Sequence, residues 1–164
     1  MRAAPGSGAQ AGTGSPAQQA IRGTLLAFDF GERRIGVAVG ETSVAIANPL
    51  AAIDAVANEE RFRTIAKLVD EWKPAAFVVG RPRHADGSPH AVAKLAEKFA
   101  RRLAARHALP VAFVDETLSS AEAESRLRGV RTRTARAGDV DALAAAVILQ
   151  AYLDDPGAHE RLAS

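Results

Sequence analysis

Residues 24–40 read TLLAFDFGERRIGVAVG and hold the strongest structural signal in the chain. Apolar residues from Leu25 to Phe28 lead into one acid, Asp29, and Gly31 separates them from a second apolar run at 35–39. This pattern predicts a buried strand, a tight turn and a return strand. An unpaired carboxylate in such a strand would be destabilising by on the order of several kcal/mol, so Asp29 is predicted to face a cation or a phosphate-metal complex.

A third strand is predicted at Ser43–Ala47, followed by a turn at Asn48-Pro49. The connections between these three strands are too short for crossovers, so the strands are expected to form an antiparallel meander.

The rest of the chain alternates between helical and strand patterns. Strands are predicted at 75–80 and 111–114, and helices are predicted to start at Asn58 as a cap, at Ser88-Pro89, at Ser119 and at Asp139 as a cap. We therefore predict the order β-β-β-α-β-α-β-α-α, an α/β fold of the ribonuclease H-like class. In it a three-strand antiparallel meander is extended by parallel β-α units, with helices on both faces.

Helical spacing also predicts which side chains point to the core. The helix that ends near His107 is expected to bury Val92, Leu95, Ala96, Phe99 and Leu103. The last helix is expected to bury Val140, Leu143, Ala144, Val147, Ile148 and Ala151. Trp72 lies on the apolar stripe of the first helix and is interpreted as core packing.

Composition limits the classes of protein. The 164 residues are enough for one domain, and the chain has no cysteine, which excludes disulfides and thiolate chemistry. No apolar run approaches the roughly 20 residues of a membrane span, so we expect a cytoplasmic protein with no membrane partner. Residues 1–22 are poor in large apolar groups and are predicted as a disordered tail, 23–154 as the folded domain, and 155–164 as a C-terminal tail.

Acids recur at the predicted carboxyl edge of the sheet, where ligands bind in folds of this kind. Asp29 ends the first strand, Asp115-Glu116 ends the last parallel strand, and Asp141 lies in the first turn of the final helix. Converging carboxylates repel one another unless a divalent cation neutralises them, and their hard oxygen ligands suit Mg²⁺ or Mn²⁺. Two alternatives stay open: either Asp115 or Glu116 is the second acid, and Asp141 could instead serve the helix dipole.

Several arginines are candidate phosphate contacts. Arg33 and Arg34 lie in the first turn, where a solvated hairpin tip is the alternative, and Arg81 follows a buried strand. A cluster without acids follows in the sequence, formed by Arg126, Arg128, Arg131, Arg133 and Arg136. Such a cluster favours phosphate binding over base recognition, unless it is only a solvated loop.

Four segments together resemble the YqgF/RuvX family of bacterial ribonuclease H-like proteins. They read AFDFGERRIGVAVG, GRPRHADGS, DETLSSAEAE and DVDALAAAVILQAYLD, in the family's order, and the resemblance covers about 23–154. It implies a nuclease that processes the 5′ end of pre-16S ribosomal RNA, in a family also described as Holliday junction resolvases. Carried over position by position, the acidic catalytic and metal site falls on Asp29, Glu116 and Asp141.

The chain departs from the family pattern at two positions. Gly-Leu-Pro is common in the family at residues 80–82, and Arg81 takes the place of the leucine. Asp-Glu-Arg is common at residues 115–117, and Thr117 takes the place of the arginine. We hypothesise that Arg81 replaces the lost basic residue beside the site.

The leading interpretation is a metal-dependent endonuclease whose partner is structured RNA, as pre-rRNA or a ribosomal particle, acting as a monomer or homodimer. Alternatives are cleavage of branched DNA, as by a junction resolvase, or a non-catalytic RNA-binding assembly factor. A phosphate-binding ATPase or kinase-like module is disfavoured, because those proteins use two such domains.

Overall fold

Five strands form one mixed sheet in the order β3-β2-β1-β4-β5 in a computed structural model of the chain. The structure describes residues 20–54, 57–83, 91–116 and 137–163. The strands are β1 (Thr24–Asp29), β2 (Arg34–Glu41), β3 (Ile46–Asp54), β4 (Ala76–Pro82) and β5 (Val111–Glu116). The helices are α1 (Asn58–Trp72), α2 (Ala91–His107) and α3 (Ala137–Asp154), followed by a 3-10 turn at Pro156–Ala158.

The pairing pattern confirms the predicted meander and parallel units. β1 is antiparallel to β2 and parallel to β4, and β4 is parallel to β5. The carboxyl ends of β1, β4 and β5 therefore lie at one edge of the sheet. Asp29 and Glu116 are both terminal residues of their strands at that edge.

The third strand was predicted in the wrong place. Residues 42–45 form a turn with Ala45 at a φ of 58°, and the Glu41 carboxylate accepts hydrogen bonds from the backbone N–H and hydroxyl of Ser43. β3 instead runs through Asn48-Pro49. Proline is tolerated there because β3 is the edge strand and its register with β2 shifts next to Pro49.

Helices cover both faces of the sheet, as predicted. One core cluster places Leu26, Phe28 and Phe77 against α1 and α2, and partly buried Trp72 packs at its margin. The second core cluster lies on the opposite face of the sheet, where Leu25, Ala27 and the strand residues that alternate with the first set pack against α3.

Local features of two helices differ from the predictions. The N-cap of α1 is Ala57, without a side-chain hydrogen bond, so Asn58 does not cap it. On α2 the predicted core residue Leu95 is 40 % exposed. The helix ends at His107 as predicted, and Ala96, Phe99 and Leu103 are buried.

Helix α3 begins two residues before Asp139, which therefore lies inside the first turn instead of capping it. Of the α3 residues predicted to face the core, only Ile148 is buried. The residues that are buried are Ala142, Ala145, Ala146, Ile148, Leu149, Tyr152 and Leu153. The helix is apolar on nearly all sides, so periodicity alone could not select the packed side.

Segments at both ends of the predicted domain contact the core. Ile21 packs against the α3 side of the sheet. In the predicted C-terminal tail, the backbone N–H of Phe113 donates to the Glu160 carbonyl, and that of Leu162 donates to the Val111 carbonyl.

Some predictions lie outside the described residues: the Ser88-Pro89 helix start, the helix from Ser119 to Gly129, and the arginine cluster at 126–136. Within the described ranges, no helix is long and apolar enough to cross a membrane.

Candidate metal and nuclease site

Asp29 faces the α3 side of the sheet. Side chains alternate along a strand, and Leu25 and Ala27, which precede it at two-residue spacing, belong to the α3-side core. Phe28, on the other face, packs against Phe77 and Phe99. Asp29 is therefore the point where a buried face of β1 ends in a carboxylate.

The same alternation separates the two acids of β5. Ala112 and Val114 belong to the α3-side core, so Glu116 continues the face that Asp29 occupies. Val111 and Phe113 belong to the opposite core, and Asp115 follows them. Only Glu116 shares a face with Asp29, which favours it over Asp115 as the second acid.

Asp141 reaches this edge because Gly36 has no side chain. Gly36 is the antiparallel partner of Asp29, and a Cβ built on it would lie 1.9 Å from the carbonyl oxygen of Asp141. Gly80 plays a similar role on β4, where a Cβ would lie 2.4 Å from Cδ1 of Ile148. Helix α3 therefore lies against the sheet with its first turns beside Asp29.

The three acids influence one another electrostatically. Burial, with the charges of Glu116 and Asp141 acting in the same direction, raises the pKa of Asp29 from its ordinary 3.8 to about 7. An acid with this pKa takes up a proton near neutral pH unless a cation is present. The negative charges around Asp29 therefore favour the binding of a cation.

Arg34 holds the third acid. Its Nε donates a hydrogen bond of 2.6 Å to Oδ2 of Asp141, and the two side chains are 37 % and 28 % exposed. The hydrogen bond and the charge of Asp141 raise the pKa of the Arg34 guanidinium above its ordinary value. Arg34 thus neutralises one carboxylate at the edge and stays accessible to solvent.

The donor set fits a hard divalent cation, although its members are not gathered into a closed cluster. No three His, Asp or Glu side chains in the described part of the chain come together as a metal-binding group. Asp141 is turned to Arg34, while Asp29 and Glu116 lie on the same face and repel each other. Carboxylate oxygens of this kind are the ligands that Mg²⁺ and Mn²⁺ prefer.

Arg81 does not lie with these acids, so its predicted contact with nucleic acid is not supported. Its side chain is 5 % exposed and forms ion pairs of 2.6 Å with Asp115, 3.0 Å with Glu97 and 2.6 Å with Glu160. Its guanidinium carbon also lies 4.5 Å from the ring centroid of Phe113, on the side of the sheet away from Asp29. A guanidinium held by three carboxylates is not available to a phosphate.

The Arg81 network also accounts for Asp115. Burial favours a higher pKa for Asp115, but hydrogen bonds and charges from Arg81 and Arg83 together hold the pKa below its ordinary value. Asp115 is therefore part of a structural ion-pair network that joins β4, β5, α2 and the segment around Glu160.

Among the other predicted contacts, Arg33 is exposed in the turn between β1 and β2. The arginine cluster lies outside the described residues. Sequence reasoning missed two features, the close approach at Gly36 and the pairing of Arg34 with Asp141. A glycine directly opposite an acid in the hairpin was the available signal for the first.

Comparisons with known proteins relate this chain to one family. A profile of the family described as "RuvX: Holliday junction resolvase" matches residues 23–155. A protein from Dechloromonas aromatica named "Putative pre-16S rRNA nuclease" is 54% identical over 135 residues, covering 82% of this chain and 92% of its own. Another of the same name, from Paraburkholderia phymatum, is 52% identical over 131 residues, covering 80% and 85%.

Solved structures match the fold at low sequence identity. The Thermus thermophilus RuvC structure aligns with a TM-score of 0.53 and 17% identity, covering 85% of this chain and 99% of that one. RuvC from the same organism in complex with a Holliday junction substrate gives a TM-score of 0.51 and 16% identity, with the same coverage. These likenesses establish the ribonuclease H-like fold that the element order predicted.

Proposed function

Because this chain belongs to the RuvX family, we propose that it is a metal-dependent endonuclease that processes the 5′ end of pre-16S ribosomal RNA. The observation that carries the proposal is the electrostatic coupling of Asp29 to Glu116 and Asp141 at the carboxyl edge of the sheet. The relatives named as pre-16S rRNA nucleases supply the substrate. With this substrate, the cytoplasm is the proposed compartment.

Asp29, Glu116 and Asp141 are the residues that would hold Mg²⁺ or Mn²⁺. When bound, the cation would lower the pKa of a water nucleophile and stabilise charge on the leaving oxygen of a phosphodiester. The raised pKa of Asp29 supports this assignment, because a nearby divalent charge would remove the repulsion that now favours the protonated acid.

The chain's own residues have separate parts in this proposal. Arg34 holds Asp141 and is exposed enough to reach a substrate phosphate once a cation competes for that carboxylate. Arg33 lies next to it in the same turn. We propose that both contact the backbone, together with Arg126, Arg128, Arg131, Arg133 and Arg136. Contacts of this type make binding weaken steeply with salt.

The test is cleavage of a pre-16S 5′-leader RNA and a four-way DNA junction in parallel, with Mg²⁺, Mn²⁺ or EDTA. The wild type is expected to cut the RNA only with a divalent metal, and Asp29→Asn is expected to abolish the cut. Asp155→Asn is a matched control, because Asp155 is an exposed acid beyond α3. Cleavage that survives Asp29→Asn would place the active site elsewhere.

A second candidate is cleavage of branched DNA, which the family description favours. Symmetric junction cleavage requires two active sites and therefore a homodimer. Cutting of the junction in preference to the leader RNA would select this candidate. If both substrates are bound and neither is cut, a non-catalytic RNA-binding role replaces both nuclease proposals.

A further inference from the structure

A small basic cavity lies between the amino-terminal halves of α1 and α2. Its volume is about 120 Å³, and its walls are aromatic on one side and basic on the other. The aromatic wall is formed by Phe30, Phe62 and Phe99, and the remaining residues are Asn58, Arg61, Leu95, Lys98 and Arg102. We refer to it as the α1–α2 pocket.

The charge of the α1–α2 pocket is positive. Lys98 and Arg102 are exposed and one turn apart on α2, and no carboxylate of the described residues lies within ion-pair distance of either. Arg61 is buried at 5 % exposure and donates a hydrogen bond to the Glu32 carbonyl. Glu59, in the first turn of α1, pairs with Arg106 at 3.5 Å. Three cations therefore line one concave surface.

The aromatic wall supports one of these cations, Arg61. Phe99 contacts Phe30 with ring centroids 5.2 Å apart and Phe62 at 5.8 Å, and the guanidinium of Arg61 lies 5.7 Å from the Phe30 centroid. Aromatic rings packed in this way have few alternative positions, so the pocket is formed before any ligand binds.

The α1–α2 pocket lies on the face of the sheet opposite to the one that Asp29 continues, and it reaches the same edge of the sheet through Phe30. Phe30 directly follows Asp29, and consecutive Cα atoms are about 3.8 Å apart. Helix α1 follows β3 and α2 follows β4 in the chain, and Phe30 extends the lining of the pocket to the edge where β1 ends. A strand bound with its scissile bond at Asp29 would therefore have to cross this edge of the sheet beside Phe30 to reach the pocket.

We propose that the α1–α2 pocket binds a backbone phosphate of the substrate strand after the strand crosses the carboxyl edge of the sheet from Asp29. The proposal rests on the proposed function, since it assumes a nucleic-acid substrate. A liquid water occupies about 30 Å³, so a cavity of about 120 Å³ admits a phosphate group but not a base pair. Lys98 and Arg102 supply the exposed donors, and the contact positions the strand without reading its sequence.

The experiment measures binding of a fluorescein-labelled pre-16S leader RNA by anisotropy at several salt concentrations, in the Asp29→Asn background so that cleavage does not interfere. Lys98→Gln and Arg102→Gln are each expected to lower affinity about 3- to 10-fold and to reduce the slope of log affinity against log salt by about 0.7 to 0.9. Lys67→Gln on α1 and Arg101→Gln on the far flank of α2 remove the same charges away from the pocket, as controls.

Each outcome has a distinct meaning. Equal losses of RNA affinity in the pocket variants and the control variants would show that binding responds to overall charge. That result would overturn the proposal that the α1–α2 pocket binds a phosphate. Normal RNA binding by the pocket variants, with a wild type that cleaves, would overturn the pocket and leave the nuclease intact. Selective loss of binding in Lys98→Gln and Arg102→Gln, with a wild type that cuts nothing, would uphold the pocket and reject the nuclease. The same series on the four-way junction distinguishes RNA from DNA phosphates.

Discussion

Replacing Asp29 by asparagine is expected to stabilise the metal-free protein at neutral and alkaline pH. The pKa of Asp29 is about 7 in the folded chain against an ordinary 3.8, so ionising this acid opposes folding. This pKa difference corresponds to about 4 kcal/mol. Because Asp29 retains some contact with solvent, which screens its charge, we expect a smaller effect of roughly 2 kcal/mol at pH 8.

The sign of the pH dependence follows from proton binding. Between pH 3.8 and about 7 the folded state holds a proton on Asp29 that the unfolded state has lost, so wild-type stability falls as pH rises through this window. Asparagine does not titrate, and its advantage is therefore expected to grow across the same window. At pH 5 it should be less than half of its value at pH 8.

The assay is urea denaturation of wild type, Asp29→Asn and the exposed control Asp155→Asn at pH 5 and pH 8, with EDTA present. The control is expected to change stability by less than about 0.5 kcal/mol. Millimolar Mn²⁺ should raise wild-type stability at pH 8 and reduce the gap to Asp29→Asn, because a ligand of the folded state stabilises it. An Asp29→Asn gain that is absent at pH 8, or equal at both pH values, would refute the electrostatic argument.

Two further substitutions test how the site is built. Gly36→Ala places a Cβ against the Asp141 carbonyl and is expected to cost about 1–3 kcal/mol of stability and at least about 10-fold in cleavage rate, whereas Gly157→Ala, with open space around it, should change neither. An active Gly36→Ala enzyme would show that the close approach of α3 is dispensable. Arg81→Met leaves three carboxylates without their shared partner and is expected to destabilise by about 1–3 kcal/mol in urea, more than Arg106→Met at the exposed pair with Glu59. Equal effects of the two substitutions would indicate that the Arg81 network contributes no more than a surface ion pair.

The parts of the fold that sequence could predict are those with one dominant signal. The apolar run into Asp29 predicted β1, and the short connections between the first three strands predicted the meander. Where two signals competed, the prediction failed. Asn and Pro are typical turn residues, so Asn48-Pro49 indicated a turn. Both residues lie in β3 because β3 is the edge strand and its register with β2 shifts beside them.

The sequence named candidate acids for the site but not the residues that contact and orient them. Alternation along β5 shows that Asp115 and Glu116 point to opposite faces of the sheet, but it does not say which face each one takes. The two core clusters of the structure identify the faces, and they place Glu116 on the face of Asp29. Arg81 was a candidate phosphate contact because it is an arginine that follows a buried strand. Its burial depends on ion pairs with Glu97 and Glu160, which are 16 and 79 residues away in sequence. Local patterns carry no information about such distant partners.

The most direct measurement of the central claim is Mn²⁺ binding, by isothermal titration calorimetry, to wild type and to Asp29→Asn, Glu116→Gln, Asp141→Asn and Asp115→Asn at pH 8. The account predicts that the first three substitutions weaken Mn²⁺ binding at least about 10-fold. Asp115→Asn should bind Mn²⁺ like the wild type, because Asp115 lies on the other face with Arg81. Unchanged binding in Asp29→Asn and Glu116→Gln, or loss of binding in Asp115→Asn alone, would contradict the proposed metal site.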